Sequence, residues 1–91
     1  MQGTGDRPGG IPQSWQATPT RKGGGWRYTN PTNAHDHVRV MPGKRTNSNP
    51  AQRAPYVKRM KDGVAYDAAG RPVDPRSAAA HIPLQDFRFR E

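Results

Sequence analysis

Between positions 37 and 61 the chain carries seven basic side chains and no acidic one: Arg39, Lys44, Arg45, Arg53, Lys58, Arg59 and Lys61. Two runs at its ends, 37–41 and 55–60, read as strands, and the loop between them is rich in Asn, Ser, Pro and Gly. Side chains of a strand alternate between its faces. Val38 and Val40 therefore share one face, and His37, Arg39 and Met41 take the other. In the later run Tyr56, Lys58 and Met60 fall together, opposite Val57 and Arg59. Two basic strands joined by a basic loop concentrate positive charge, and the predicted role of that field is to grip phosphates.

The rest of the composition limits what can surround this stretch. With 91 residues the chain is at most one small domain. Only 31% of residues are apolar, mean hydropathy is −1.10, and there are ten glycines and ten prolines, values close to those of disordered chains. Nearly all aromatic and β-branched residues follow Trp26, which predicts a flexible linker or arm over 1–23 and a folded unit over 24–91. A domain this small buries only about 60% of its unfolded surface, so a thin core is expected. There is no cysteine to form a disulfide or thiolate site, and no apolar run approaches a membrane span. A net charge of +8 favours polyanionic partners, and Arg outnumbers Lys by 11 to 4. Arg makes planar, bidentate contacts with phosphate and stacks on bases, which points to nucleic acid rather than to membrane adhesion.

In chain order, strands are predicted at 26–29, 37–41, 55–60 and 64–66, the last two joined by the Asp62-Gly63 hairpin signal. Asp74 as cap and Pro75 at the first helical position predict one or two helical turns over 74–81. Phe87 and Phe89, alternating with Arg88 and Arg90, predict a terminal strand. The expected fold is α+β and β-dominated: a small twisted antiparallel sheet of four to five strands with one short helix.

Chemistry on such a surface needs few parts if the substrate is RNA, which brings its own nucleophile in the 2′-hydroxyl. The protein must remove that proton, protonate the leaving 5′-oxygen and neutralise the phosphate between them. Histidine suits both proton transfers. His81, between the expected helix and the run Ile82-Pro83-Leu84, is the first candidate, and His37 or His35 is its partner. Arg39, beside His37 on one strand face, is the leading phosphate clamp, with Lys58 second. Arg45, Gln52, Arg53 and Arg59 are candidate substrate contacts, and Tyr56 and Trp26 are candidate stacking platforms for bases. His35 and His37 point to one side of an extended chain, as chelating ligands do. Three histidines without cysteine or an acidic cluster still make a poor metal site, so no metal and no other cofactor is assigned.

Five pieces then fall in one order: Trp26-Arg-Tyr-Thr-Asn-Pro31, Val38-Arg-Val-Met-Pro-Gly43, Asn49-Pro-Ala-Gln52, Pro55-Tyr-Val57 and Ala80-His-Ile-Pro-Leu84 with Phe87. Over about residues 24–89 they resemble the C-terminal toxin module of bacterial polymorphic toxins, the effectors built on RHS, WapA-like or contact-dependent inhibition carriers. The resemblance implies a nuclease domain of the barnase–EndoU–colicin–RelE type, delivered by a larger exported carrier. It also implies action in the target-cell cytoplasm and neutralisation by a cognate immunity protein. An acidic immunity protein would suit the basic face. The combined expectation is a metal-independent ribonuclease toxin that cleaves tRNA or rRNA to a 2′,3′-cyclic phosphate. A non-enzymatic, ribosome-associated RNA-binding module and a metal-dependent DNase toxin are the alternatives.

Overall fold

The computed structural model describes residues 7–20 and 24–89. Alternating β-branched and aromatic residues build one antiparallel sheet of seven strands: β1 (Gln16–Pro19), β2 (Trp26–Asn30), β3 (Asn33–Met41), β4 (Tyr56–Lys61), β5 (Val64–Tyr66), β6 (Pro72–Val73) and β7 (Ile82–Pro83). The first six follow one another across the sheet, and β7 returns to pair with β4. β4 shares one edge between two partners, facing β5 through Arg59–Lys61 and β7 through Tyr56 and Val57. The β4–β5 turn has positive φ at both Asp62 (52°) and Gly63 (84°), the conformation that an Asp-Gly pair adopts in a two-residue hairpin.

The fold is β-dominated as expected, with more strands and less helix. No α-helix occurs among the described residues. The predicted helix over 74–81 is a turn capped by Asp74, whose Oδ1 accepts from the Arg76 N–H at 2.8 Å, followed by a single 3-10 turn at Ala78–Ala80. The chain must enter β7 directly afterwards, and four residues leave no room for an i-to-i+4 ladder. The predicted terminal strand is absent too. Phe87 and Phe89 point inward with Arg88 exposed between them, yet their backbone joins no ladder; the Phe89 N–H donates instead to the Gly9 carbonyl at 2.8 Å.

That bond marks the largest departure from expectation. The segment read as a linker over 1–23 supplies, in its described part, an edge strand and half of the core cover. Ile11 and Trp15 are buried, and they join Val38, Val57, Ile82 and Phe87 in the core cluster. Trp15 meets Phe89 edge-on with ring centroids 5.0 Å apart. Arg7 fastens the segment by donating to the carbonyls of Pro12 and Trp15, while its guanidinium lies 5.0 Å over the Tyr28 ring. Ile11 and Trp15, four apart, would share a face of a helix, but Pro8, Gly9, Gly10 and Pro12 around them exclude one and no further apolar residue continues the pattern. The parts of the expected arm at 1–6 and 21–23, and Arg90 and Glu91, lie outside the described residues. No helix among the described residues is long and apolar enough to cross a membrane.

The sheet thus has one covered face and a more open one, the latter partly covered where Ala65 and His81 are buried on it. Tyr28, Val38, Val40, Val57 and Ile82 point toward the covering segments near 8–15 and 84–89. The alternate residues point the other way.

Candidate nucleic-acid interface

The open face is built by register. β2 pairs with β3 so that Arg27 faces Arg39, and β3 pairs with β4 so that Arg39 faces Lys58. Three cations therefore stand in one row across three adjacent strands, with neighbouring Cα atoms roughly 5 Å apart. Like charges directly opposite destabilise a sheet. None of the three takes part in an ion pair among the described residues. The Nε of Arg39 is buried without a hydrogen-bond partner. Burial, then Arg39, push the Lys58 ammonium below its usual range, against an opposing pull from Asp74.

His37 adjoins this row on β3, two residues from Arg39 on the same face, opposite Thr29 on one side and Met60 on the other. Its Nδ1 is also buried without a partner. Burial, with the charges of Arg27, Arg39 and Arg59, lowers its pKa to about 4, although Asp36 acts in the opposite direction. The ring is consequently neutral at physiological pH. His35 is exposed at the start of the same face.

His81 reaches this face from the other side. β7 sets Ile82 opposite Val57 and Pro83 opposite Tyr56, and the same register carried one residue back places His81 beside Lys58. The imidazole is 5% exposed and meets the Tyr56 ring at 5.1 Å. Nδ1 lies 2.8 Å from the Ser77 carbonyl, which can only accept, so the ring proton sits there. Nε2 is left with a lone pair, which takes the Gln52 side-chain amide at 2.8 Å. By strand spacing the Cα atoms of His37 and His81 are roughly 12 Å apart, with the Arg39–Lys58 pair between them.

The loop over 42–55 borders the site and is held by its own side chains. Asn49 caps the 3-10 turn at Pro50–Gln52, and Arg53 donates to the carbonyls of Asn47 and Ser48. Gly43 (φ 80°) passes so close to the Ala54 backbone that a Cβ would collide with it. Lys44 and Arg45 stay exposed. Gln52 touches the site only through His81.

Two expected contacts fall on the other face. Trp26 pairs with Val40 and is 49% exposed on the covered side of the sheet, beyond its covering segments. Arg59 is buried there in an ion pair with Asp36, and its guanidinium lies 5.5 Å from the Trp15 ring centroid and 5.4 Å from that of Phe89. Burial pushes the Asp36 carboxyl up, but hydrogen bonds from Asn30 and Arg59 and the charges of Arg59 and Lys61 bring it below the ordinary range. Arg59 thus binds the fold to itself. Arg27 is the site residue that sequence reading missed. Its alternation with Trp26 and Tyr28 assigns it to the face opposite the core, but only pairing with β3 shows that it faces Arg39.

Among the described residues no group of three or more His, Cys, Asp or Glu side chains could hold a metal ion. No known protein family, curated protein or solved structure matches the chain.

Proposed function

We propose that the chain is a metal-independent endoribonuclease of the polymorphic-toxin kind, with the open face of its sheet as the active surface. The observation that carries this reading is the Arg27–Arg39–Lys58 row, with His81 beyond its Lys58 end and His37 beside its middle member, Arg39. The row supplies the charge for a scissile phosphate. His81 has the form of a general base, because Ser77 fixes its proton on Nδ1 and leaves the Nε2 lone pair for a 2′-hydroxyl that displaces Gln52. His37 stands on the leaving-group side, and Tyr56, whose ring meets His81 edge-on, offers a surface for a base. The proposed substrates are tRNA or rRNA, reached in the cytoplasm of a target cell after delivery by an exported carrier. The proposed partner in the producing cell is an acidic immunity protein that covers the cation row. Opposite fields would speed and orient its association.

A second reading has its own observation. Both ring nitrogens of His81 are already hydrogen-bonded, which is the pattern of a structural histidine and suits a module that holds RNA without cutting it. One assay separates the readings. Total RNA and plasmid DNA are incubated with the protein, each with and without EDTA. RNA breakdown that survives EDTA, leaves cyclic phosphate ends and disappears in His37→Ala and His81→Ala variants of native fold supports the ribonuclease. Retention of intact RNA supports the binding module, and EDTA-sensitive nicking of DNA would overturn both.

A further inference from the structure

We propose that seating a phosphodiester on the Arg27–Arg39–Lys58 row draws a proton onto His37, so that the site charges its own general acid as substrate arrives. The inference rests on the phosphate-binding part of the ribonuclease reading and adds to it the role of His37 and a pH dependence of binding.

The geometry supplies two incomplete polar atoms on one stretch of β3. Arg39 Nε and His37 Nδ1 are both buried without a partner, and their residues lie two apart on one face. Arg39 Nε–H is a donor at every pH, whereas His37 has a second donor only when protonated. An oxyanion is the ligand that serves both. Alcohols and amides offer acceptors too, but no charge to offset the cations around them.

The charges facing His37 settle its state without a ligand. Its own strand brings Arg39, the exposed His35, and Asp36, which points to the covered face and is engaged by Arg59 and Asn30. β2 brings Arg27. β4 brings Lys58 and Arg59, and Arg59 Nη1 donates to the His37 carbonyl at 3.3 Å. Past the β4–β5 turn, Asp62 accepts from Asn33 at 3.2 Å, while β5 contributes only Ala65 on this face. Cations dominate, and the imidazole stays neutral. A diester carries one negative charge, and placed on the row it cancels part of the field that opposes protonation.

In the reaction the 2′-oxygen forms its bond to phosphorus as its proton passes to His81 Nε2. The bond from phosphorus to the 5′-oxygen breaks, and that oxygen takes the proton held by His37. The products are a 2′,3′-cyclic phosphate and a 5′-hydroxyl. His81 ends protonated and His37 neutral, and exchange with water resets both.

The test follows the His37 ring proton by NMR from pH 3.5 to 8, free and saturated with a short oligothymidylate. This probe keeps its diester charge over that range and has no 2′-hydroxyl to react. The His37 midpoint, about 4 in the free protein, is expected to rise by one unit or more. By linkage the oligonucleotide then binds about tenfold more tightly at the acid end than at pH 8. Arg39→Gln should raise the free midpoint and abolish the ligand-induced rise, while His37→Gln should remove the pH dependence of affinity attributed to this ring. An unmoved midpoint, with bound oligonucleotide perturbing Arg39 and Lys58, would overturn the proton uptake and leave the phosphate row standing. Absence of binding, or perturbations confined to the other face near Tyr66 and Arg88, would overturn both.

Discussion

Lys58 and Arg59 are neighbours on β4, and the sheet treats them oppositely. Arg59 turns to the covered face, where Asp36 neutralises it and the rings of Trp15 and Phe89 flank it. Lys58 turns to the open face beside Arg39, where Asp74 acts on it from beyond ion-pair distance. On one side a cation is spent on holding the fold together; on the other, a cation row works against it. Folding alone gives no reason for the second arrangement, since one glutamate at the Lys58 position would relieve the repulsion. The difference is that charge on the covered face is paired within the fold, while charge on the open face is what the proposed function assigns to a ligand.

Breaking each face in turn should give unlike results. On the covered face, Asp36→Ala strands a buried guanidinium and is expected to destabilise the protein by about 3–5 kcal/mol in denaturant melts. Trp15→Ala opens the core between the N-terminal segment and the sheet, with an expected loss of about 3–5 kcal/mol and a lower melting temperature. On the open face, Arg39→Gln is expected to lower RNA cleavage by about 10²–10³. It should leave stability unchanged or raise it by roughly 0.2–1 kcal/mol, because it removes like-charge opposition.

Acidification sharpens the comparison further. His37 has a lowered folded pKa, so between about 6.5 and about 4 the unfolded chain binds its proton while the native one does not, and stability falls as pH falls through that window. The Asp36 carboxyl is also lowered, so its contribution is fully present above its unfolded value and is lost further down, below 3.8. Melting temperature against pH should therefore show a first decline that His37→Gln flattens, and a second, more acidic decline that remains in that variant. A single decline unaffected by His37→Gln would remove this account of the open face.

The two faces were also unequally legible in the sequence. Alternation put His37 with Arg39 opposite Val38 and Val40, and Lys58 opposite Val57 and Arg59, because a strand has period two; that Lys58 lies on the Arg39 face comes from the β3–β4 register. The Asp62-Gly63 turn was readable for a similarly local reason. Asp36–Arg59 was not, since it depends on the β3–β4 register and on a cover drawn from both ends of the chain. Ile11 was hidden because it docks singly, without a repeating pattern. Arg59 read as a substrate contact by composition alone; the same alternation that grouped it with Val57 was the available sign that it faces inward. His81 is legible as a candidate from its place before Ile82-Pro83-Leu84, but Gln52 and the Ser77 carbonyl are brought to it by turns that carry no periodic signal.

The most direct test of the open face is the salt dependence of binding to 2′-O-methyl RNA, which keeps the phosphates and blocks the reaction. Affinity is measured from low to physiological ionic strength for the native protein, for an Arg27→Gln, Arg39→Gln, Lys58→Gln triple variant, and for an Arg71→Gln control away from the row. The account predicts that the triple variant binds more weakly and that its slope of log affinity against log salt is shallower by about 2, the loss of three phosphate contacts on a single strand. The control should keep the native slope. A triple variant with native affinity and native slope would contradict the claim that this row holds the nucleic acid.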